Sequence, residues 1–386
     1  MNRNLLLVTL SLFAWGVGEG FFLYFQPLYL QEWGADSVTI GAILGGVGVM
    51  LALTQIPTGL LTDKIGPRNL MLSSWIIGVI SAWMMALAPS LTIFTIGLLI
   101  YGMTGFGVIS MNVYITNFRG NLSVGRAITF ASGMYNLGAV IGPIVGGAIA
   151  DRLGFKTVYI FASCIFVIST IIIFLTQKAE HVHPADHREQ APLQSFLKNP
   201  RMLVFIGMIF ITIFALYLPQ SFTTPYLQNQ QEMSRSTIGL LCGIGSLGNA
   251  IATLVLGNIS PYIGLFIGQL WVALFSALFL WGENTIWFGL GYFFLGGYRL
   301  FRALVLAEAR TMVHPNQTGL LFGVIETSNA LAIILAPVLA GILYKAQPTL
   351  MYKIALIIIP IMMVVNLLYL RKNGSHTDGF LNREKA

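Results

Sequence analysis

Long uncharged apolar stretches dominate this chain of 386 residues. The run from Leu203 to Gln231 contains no charged side chain and exceeds the ~20 residues that a helix needs to cross a bilayer. Only 9% of the residues are charged, whereas an ordinary soluble domain carries about 25%. A soluble fold of this size would need a polar surface that the composition does not supply. The sequence therefore predicts an all-α polytopic membrane protein.

Twelve apolar segments follow one another, separated by charged residues or by proline and glycine. Each is long enough to span a membrane as a helix. The first is too long for the apolar core of a signal peptide and lacks a clear cleavage site, so we expect it to be the first spanning helix. The predicted spans are 5–30, 38–60, 69–88, 91–116, 127–149, 157–177, 202–227, 236–257, 263–282, 286–307, 318–343 and 350–370.

The longest polar stretch, residues 178–200, divides the chain near its middle. It contains three of the five histidines, which we interpret as part of a solvated linker rather than as a metal site. The sequence predicts an N-terminal six-helix bundle at 1–177 and a cytoplasmic linker at 178–200. A C-terminal six-helix bundle at 201–370 and a cytoplasmic tail at 371–386 complete the prediction.

The two halves repeat one another at a nearly constant spacing. The matching pairs include Pro27 with Pro225, Gly41 with Gly239, Gly125 with Gly319, Pro143 with Pro337 and Gly147 with Gly341. Internal duplication, with a binding site where the repeats meet, is typical of secondary transporters. It argues against a channel, a receptor or a membrane enzyme without excluding them.

Basic residues are unevenly distributed along this topology. The net charge of +7 would suggest a nucleic-acid partner in a soluble protein, but in a membrane protein it indicates basic loops. Most of the 21 lysines and arginines fall in loops on one side. By the positive-inside rule we expect that side, with both termini, in the cytoplasm, and the chain in the inner membrane of a bacterial cell. No nucleic-acid partner is expected.

The loop between the second and third helices carries a motif, Gly59-Leu-Leu-Thr-Asp63-Lys64-Ile-Gly66-Pro67-Arg68. It resembles the signature loop of the major facilitator superfamily, although Pro67 replaces one usual base. With the twelve helices and the duplication, the resemblance covers the whole chain. It implies two six-helix bundles that alternate access to a central cavity lined by the first, fourth, seventh and tenth helices. It also implies a gating latch formed by Asp63 and Arg68, with Arg119 as a partner.

The fourth and fifth helices bear on the kind of transporter. The run from Gly138 to Gly147 resembles the Gly-Pro-x-x-Gly-Gly motif of the family's drug–proton antiporters. Close helix packing alone would also explain these glycines. In the fourth helix, Tyr101 stands where such antiporters place an arginine. That substitution puts the usual arrangement for proton coupling in doubt.

Charged residues inside the predicted helices are the strongest functional candidates, because each is unfavourable in a bilayer. Glu19 falls near the middle of the first helix, and the helix interiors of its own half contain no basic residue. Removal from water favours the neutral form of such a carboxyl. Glu19 is therefore our first candidate for a proton-coupling group, and Glu326 of the eleventh helix is the second.

Two arginines of the tenth helix admit two interpretations. Either Arg299 or Arg302 forms a structural ion pair with Glu326, or Arg299 is a cavity charge that binds an anionic group or controls the protonation of Glu326. Both interpretations stay open at the level of sequence. The full set of predicted cavity residues is Gln26, Tyr101, Asn112, Asn136, Gln220, Arg299, Arg302 and Asn329.

The sequence favours a secondary transporter that exports amphipathic small molecules in exchange for protons. Uptake or exchange of an anionic solute through Arg299 and Arg302 is the alternative, followed by a lipid flippase or a non-transporting sensor. We expect a monomer that interacts with a small-molecule substrate, a proton or another coupling ion, and the lipid bilayer. No enzymatic activity, cofactor or metal is expected, and no phosphate-binding loop for ATP is evident.

Overall fold

The computed structural model describes residues 2–178, 200–256, 259–310 and 318–374. Within these ranges the chain is almost entirely helical and contains no β-strand. Among the described residues, eleven helical spans are long and apolar enough to cross a membrane. A twelfth helical span, Thr285–Phe294 with Gly297–Arg310, is interrupted and carries four charged residues in its second segment. The prediction of an all-α polytopic fold is confirmed, with boundaries that agree to within a few residues.

The helical spans are labelled α1 to α12 in chain order, and an interrupted span keeps one label. The first six are α1 (Arg3–Phe22, a 3-10 turn at Leu23–Phe25, then Gln26–Glu32), α2 (Ser37–Ile65), α3 (Pro67–Ala86), α4 (Leu91–Met103 and Phe106–Asn117), α5 (Val124–Leu153) and α6 (Phe155–Phe174). The others are α7 (Pro200–Tyr217, a 3-10 turn at Leu218–Gln220, then Thr223–Asn229), α8 (Arg235–Leu256), α9 (Pro261–Trp281), α10 (Thr285–Phe294 and Gly297–Arg310), α11 (Thr318–Ala346) and α12 (Leu350–Gly374).

In the part of the chain that the structure describes, four helices are interrupted, namely α1, α4, α7 and α10. In α1 and α7 a 3-10 turn comes just before a short segment that contains Pro27 or Pro225 near its start. These prolines occupy matching positions in the repeat and cannot donate a helical hydrogen bond. In α4 the carbonyl of Thr104 at the break accepts a hydrogen bond from Ser74 of α3 at 2.8 Å. The interrupted helices are the same four that the family resemblance assigns to the cavity.

The helices group into two compact units. The first contains α1–α6 together with Ser221–Leu247, which is the end of α7 and the first half of α8, and the second contains the remainder. The first unit is built around α1, which packs closely on α5 and α6. In the second, α9 packs on α10 and α12. The predicted domain boundary at 178–200 falls almost entirely outside the described residues and stays a prediction.

Each unit contains a small network of buried side-chain hydrogen bonds that links three helices, which we call a polar tie. In the first, the indole of Trp75 on α3 donates to the hydroxyls of Ser11 on α1 and Ser169 on α6, both at 3.0 Å. In the second, the amide of Asn366 on α12 donates to Thr212 on α7 and to Gln269 on α9, both at 3.1 Å. The two ties join corresponding helices of the two halves, which agrees with the duplication seen in the sequence.

Candidate functional site

The carboxyl of Glu19 lies at a close crossing of α1 and α5. A Cβ atom at Gly16 would overlap the carbonyl of Tyr135, and one at Gly142 would lie 2.6 Å from the carbonyl of Val17. Glycine at these positions therefore lets the two backbones touch. As a result, the hydroxyl of Tyr135 donates to Glu19 Oε2 at 2.6 Å. Both side chains are half-buried.

A second phenol, Tyr101 of α4, lies near the same carboxyl. Its side chain is 6% exposed and interacts electrostatically with Glu19 and Tyr135. Its ring is nearly parallel to the indole of Trp15, with centroids 6.4 Å apart. Glu19 takes part in no ion pair with any residue in the described part of the chain. The position that holds an arginine in the family's drug–proton antiporters thus places a neutral hydroxyl near this carboxyl.

The carboxyl of Glu326 in α11 has a cationic partner. Arg302 of α10 donates to Glu326 Oε2 at 2.7 Å, and their side chains are 40% and 36% exposed. Arg299, one helical turn earlier, is exposed and forms no ion pair with a described residue. Arg302 rather than Arg299 therefore meets Glu326. The roles of all three residues in transport stay predictions.

The other predicted cavity residues are satisfied to different degrees. Asn329 is buried and accepts a hydrogen bond from the hydroxyl of Tyr298 at 2.8 Å. Gln220 donates to the carbonyl of Leu216 at 2.9 Å. Gln26 is also buried, in the short segment after the break in α1. Gln220, Asn112 and Asn136 are half-buried. Substrate contact by any of them stays a prediction.

The structure describes only some of the residues of the predicted gating loop. Gly66 adopts a φ of 87°, a conformation that favours glycine, and ends the turn into α3. The guanidinium of Arg68 donates to the carbonyls of Thr176 and Phe174 at the end of α6, at 2.8 and 3.0 Å. Cations are favourable at this end of a helix. Lys64 and Arg119 are exposed. The side chain of Asp63 lies outside the described residues, as does any contact of Gly59, so the latch stays a prediction.

A charged network at the other end of the first unit was not predicted. The backbone N–H groups of Arg235 and Ser236, at the start of α8, donate to the Asp151 carboxylate at 2.9 and 2.7 Å. The Arg235 guanidinium pairs with Glu32 and lies 4.3 Å from the ring centre of Phe155. The signal available in the sequence was the position of three charged residues at helix ends on one side of the membrane.

Comparison with known proteins decides the family. The model of the Major Facilitator Superfamily matches residues 6–297 and 209–386. The chain belongs to this superfamily. The superfamily predicted from the resemblance of the signature loop is therefore confirmed, and it is a family of multi-pass membrane transporters rather than of enzymes.

Curated relatives of the superfamily are distant. An uncharacterized transporter of Methanocaldococcus jannaschii is 24% identical over 45% of this chain and 46% of its own length. The multidrug resistance protein MdtG of Escherichia fergusonii is 26% identical over 58% of this chain and 56% of its own. These two alignments span about half of each relative. MdtG of Proteus mirabilis is 24% identical over 85% of both chains.

Solved structures of other transporters share the fold over nearly the whole chain. A variant of the nucleoside transporter NupG superposes with a TM-score of 0.81 at 14% identity, covering 96% of this chain and 99% of that one. A bacterial homologue of the human lysosomal transporter Spinster gives 0.71 at 15% identity, covering 97% and 95%. At these identities the likeness is one of fold alone.

Proposed function

We propose that this transporter exports amphipathic small molecules in exchange for protons, and that Glu19 carries the proton. The observation behind the proposal is a half-buried carboxyl inside a spanning helix, bonded to a phenol and unpaired with any cation in the described residues. An ionisable group at such a depth usually belongs to an ion or proton pathway. The names of the multidrug resistance relatives support export as the direction of transport.

The charge of Glu19 would act on the contact between α1 and α5. The ionised carboxylate accepts a charge-assisted hydrogen bond from Tyr135, whereas the protonated carboxyl forms a neutral one of roughly half the strength. Gain of a proton therefore weakens a link between two helices that touch through glycine. A ligand that changes this balance shifts the population of conformations, which is what coupling requires.

The test is transport in proteoliposomes under an imposed pH gradient, with ethidium as the amphipathic cationic probe. Glu19→Gln, which keeps the shape of the side chain and removes its titration, should abolish pH-driven flux and leave folding intact. Glu283→Gln is the matched control, because Glu283 is an exposed carboxyl between α9 and α10. If Glu19→Gln showed the same pH-driven flux as the control, the proposal would be contradicted.

Transport of an anionic solute is the second candidate function. Arg299 favours it, since this cation is exposed on a helix in the spanning region and lacks an ion pair with the residues described. Carboxyfluorescein is a suitable anionic probe. If the wild-type protein carries it and Arg299→Ala does not, while ethidium fails to move, the anion carrier replaces the exporter as the better account.

A further inference from the structure

Tyr135 donates a short hydrogen bond to a carboxylate within the membrane-spanning part of the fold. Its distance of 2.6 Å lies in the range of about 2.5–2.7 Å that is typical of O–H···O⁻ contacts. A tyrosine keeps its proton at neutral pH, so the phenol is the donor and the carboxylate the acceptor whenever Glu19 is ionised. A hydrogen bond of this kind favours the charged form of its acceptor.

The polar side chains that lie close to Glu19 from the helices packed around it are tyrosines. The helices packed against α1 in its unit are α5 and α6, and Tyr101 approaches from α4. The hydroxyl of Tyr159 on α6 is buried and has no hydrogen-bond partner among the described atoms. It interacts with Tyr29 rather than with Glu19. The charged residues of α1, α4, α5 and α6 lie near the helix ends apart from Glu19 itself: Arg3, Glu32, Arg126, Asp151, Arg152 and Lys156.

We propose that Tyr135 is a positioning residue that sets the pH at which Glu19 exchanges its proton. The proposal rests on the proposed function, in which Glu19 is the proton carrier. The donor belongs to α5 and the acceptor to α1. The strength of this hydrogen bond, which depends on the charge of Glu19, therefore affects how the two helices pack.

The proposal can be tested without a substrate, by infrared spectroscopy of the purified full-length protein in lipid nanodiscs. Protonation of a carboxyl produces a C=O stretching band, and the component lost in Glu19→Gln belongs to Glu19. In Tyr135→Phe the midpoint of this component should move to higher pH by about one unit, because the ionised form loses a charge-assisted donor. The frequency of the band should change as well, since the carboxyl loses its partner.

Two further variants make the result specific. Tyr159→Phe removes a hydroxyl from the same unit without removing a described hydrogen bond, so its midpoint should equal that of the wild type. Tyr135→Gln retains an N–H donor and should give a smaller shift than Tyr135→Phe. It also serves as the test if the phenylalanine variant fails to fold.

The outcomes separate this proposal from the function on which it rests. An unchanged midpoint in Tyr135→Phe, or an equal shift in Tyr159→Phe, would overturn the role of Tyr135 and leave Glu19 as a proton carrier. If no band component depends on Glu19, both proposals fail. If the shift is present but Glu19→Gln still transports ethidium under a pH gradient, only the exporter function fails.

Discussion

Single residues hold the two membrane carboxyls in different ways. Glu19 is bonded to the neutral phenol of Tyr135, whereas Glu326 is bonded to the cation Arg302. The contact of Glu326 is thus an ion pair, and the part of either carboxyl in proton exchange stays a prediction.

The pairing of Arg302 predicts a difference between two neighbouring arginines. Arg302→Ala should lower the free energy of unfolding by about 1 kcal/mol, a modest value because both partners are more than one-third exposed. Arg299→Ala is the matched control and should leave stability unchanged, since no described ion pair is lost. The measurement is the thermal unfolding of each purified variant. Equal unfolding temperatures for the two variants would contradict the pairing.

The sequence identified the charged residues but not their partners. A glutamate or arginine in an apolar run stands out because of its unfavourable solvation, which is how Glu19, Arg299 and Arg302 were found. A tyrosine such as Tyr135 has no comparable cost of solvation in a membrane. In the sequence alone it could face lipid, pack in the protein core or line a functional site. The choice between Arg299 and Arg302, one turn apart, depends on the packing of α10 against α11, which no local pattern encodes.

Among the helices, α5 makes close backbone contacts on two faces. Gly142 and Gly146 touch the backbone of α1, while Gly147 touches the start of α8 at Arg235. The carbonyl of Pro143 is in turn close to Gly239 of α8. The Gly-Pro-x-x-Gly-Gly run thus has a packing explanation in this fold, and the motif alone is no evidence for export.

This packing predicts that glycines of α5 differ sharply in their tolerance of a methyl group. Gly142→Ala should destabilise the protein by about 1–3 kcal/mol, because its Cβ would force α1 and α5 apart. Gly133→Ala, in the same helix, has nothing within 4 Å of the new atom and should be neutral or slightly stabilising. Thermal unfolding of the two variants compares them directly, and similar losses would show that α5 does not pack on α1 in this way.

A second prediction for the helices concerns the capping of the first turn of α8. Asp151→Ala leaves the N–H groups of Arg235 and Ser236 without their acceptor and should cost about 1 kcal/mol, as loss of a helix cap does. Hydrogen exchange should become faster in the first turn of α8. Arg152→Ala, at the adjacent exposed position, is the control. Unaltered exchange in Asp151→Ala would mean that this carboxylate does not cap α8.

The positions of the helices could be predicted from the sequence, whereas the places where helices are interrupted could be predicted only in part. Long apolar runs define where a helix spans, and the breaks in α1 and α7 lie next to Pro27 and Pro225, which match in the repeat. The breaks in α4 at Thr104 and in α10 after Phe294 involve no proline. Glycines stand at both breaks, Gly105 in α4 and Gly296 in α10. The Thr104 carbonyl accepts a hydrogen bond from Ser74. Neither break was predicted.

For the whole molecule, the positive-inside rule predicts the orientation. Single cysteines at Glu283 and Lys178 both occupy exposed positions, but on opposite sides of the predicted topology. In a background with Cys164 and Cys242 replaced, a membrane-impermeant maleimide should label Glu283→Cys on intact cells. Lys178→Cys should react only after permeabilisation. The reverse pattern would place both termini outside the cytoplasm.

Composition and duplication were sufficient to predict a polytopic helical membrane fold, because both are properties of the entire chain. The superfamily was predicted from the resemblance of the Gly59–Arg68 loop to its signature motif. The nature of the substrate and the coupling ion depends on a few side chains, and the sequence offered several candidates for them. In the described residues, a carboxyl lies beside phenols in one half and an ion pair lies beside an exposed arginine in the other, and the role of each in transport stays a prediction.

The most direct test of the account is whether substrate movement drives protons through Glu19. Proteoliposomes containing the pH-sensitive dye pyranine, with no initial pH gradient, are given a gradient of ethidium. The wild-type protein should move protons opposite to ethidium and change the internal pH, while Glu19→Gln should move no protons and Glu283→Gln should behave as the wild type. An equal pH change in wild-type protein and Glu19→Gln would contradict the account.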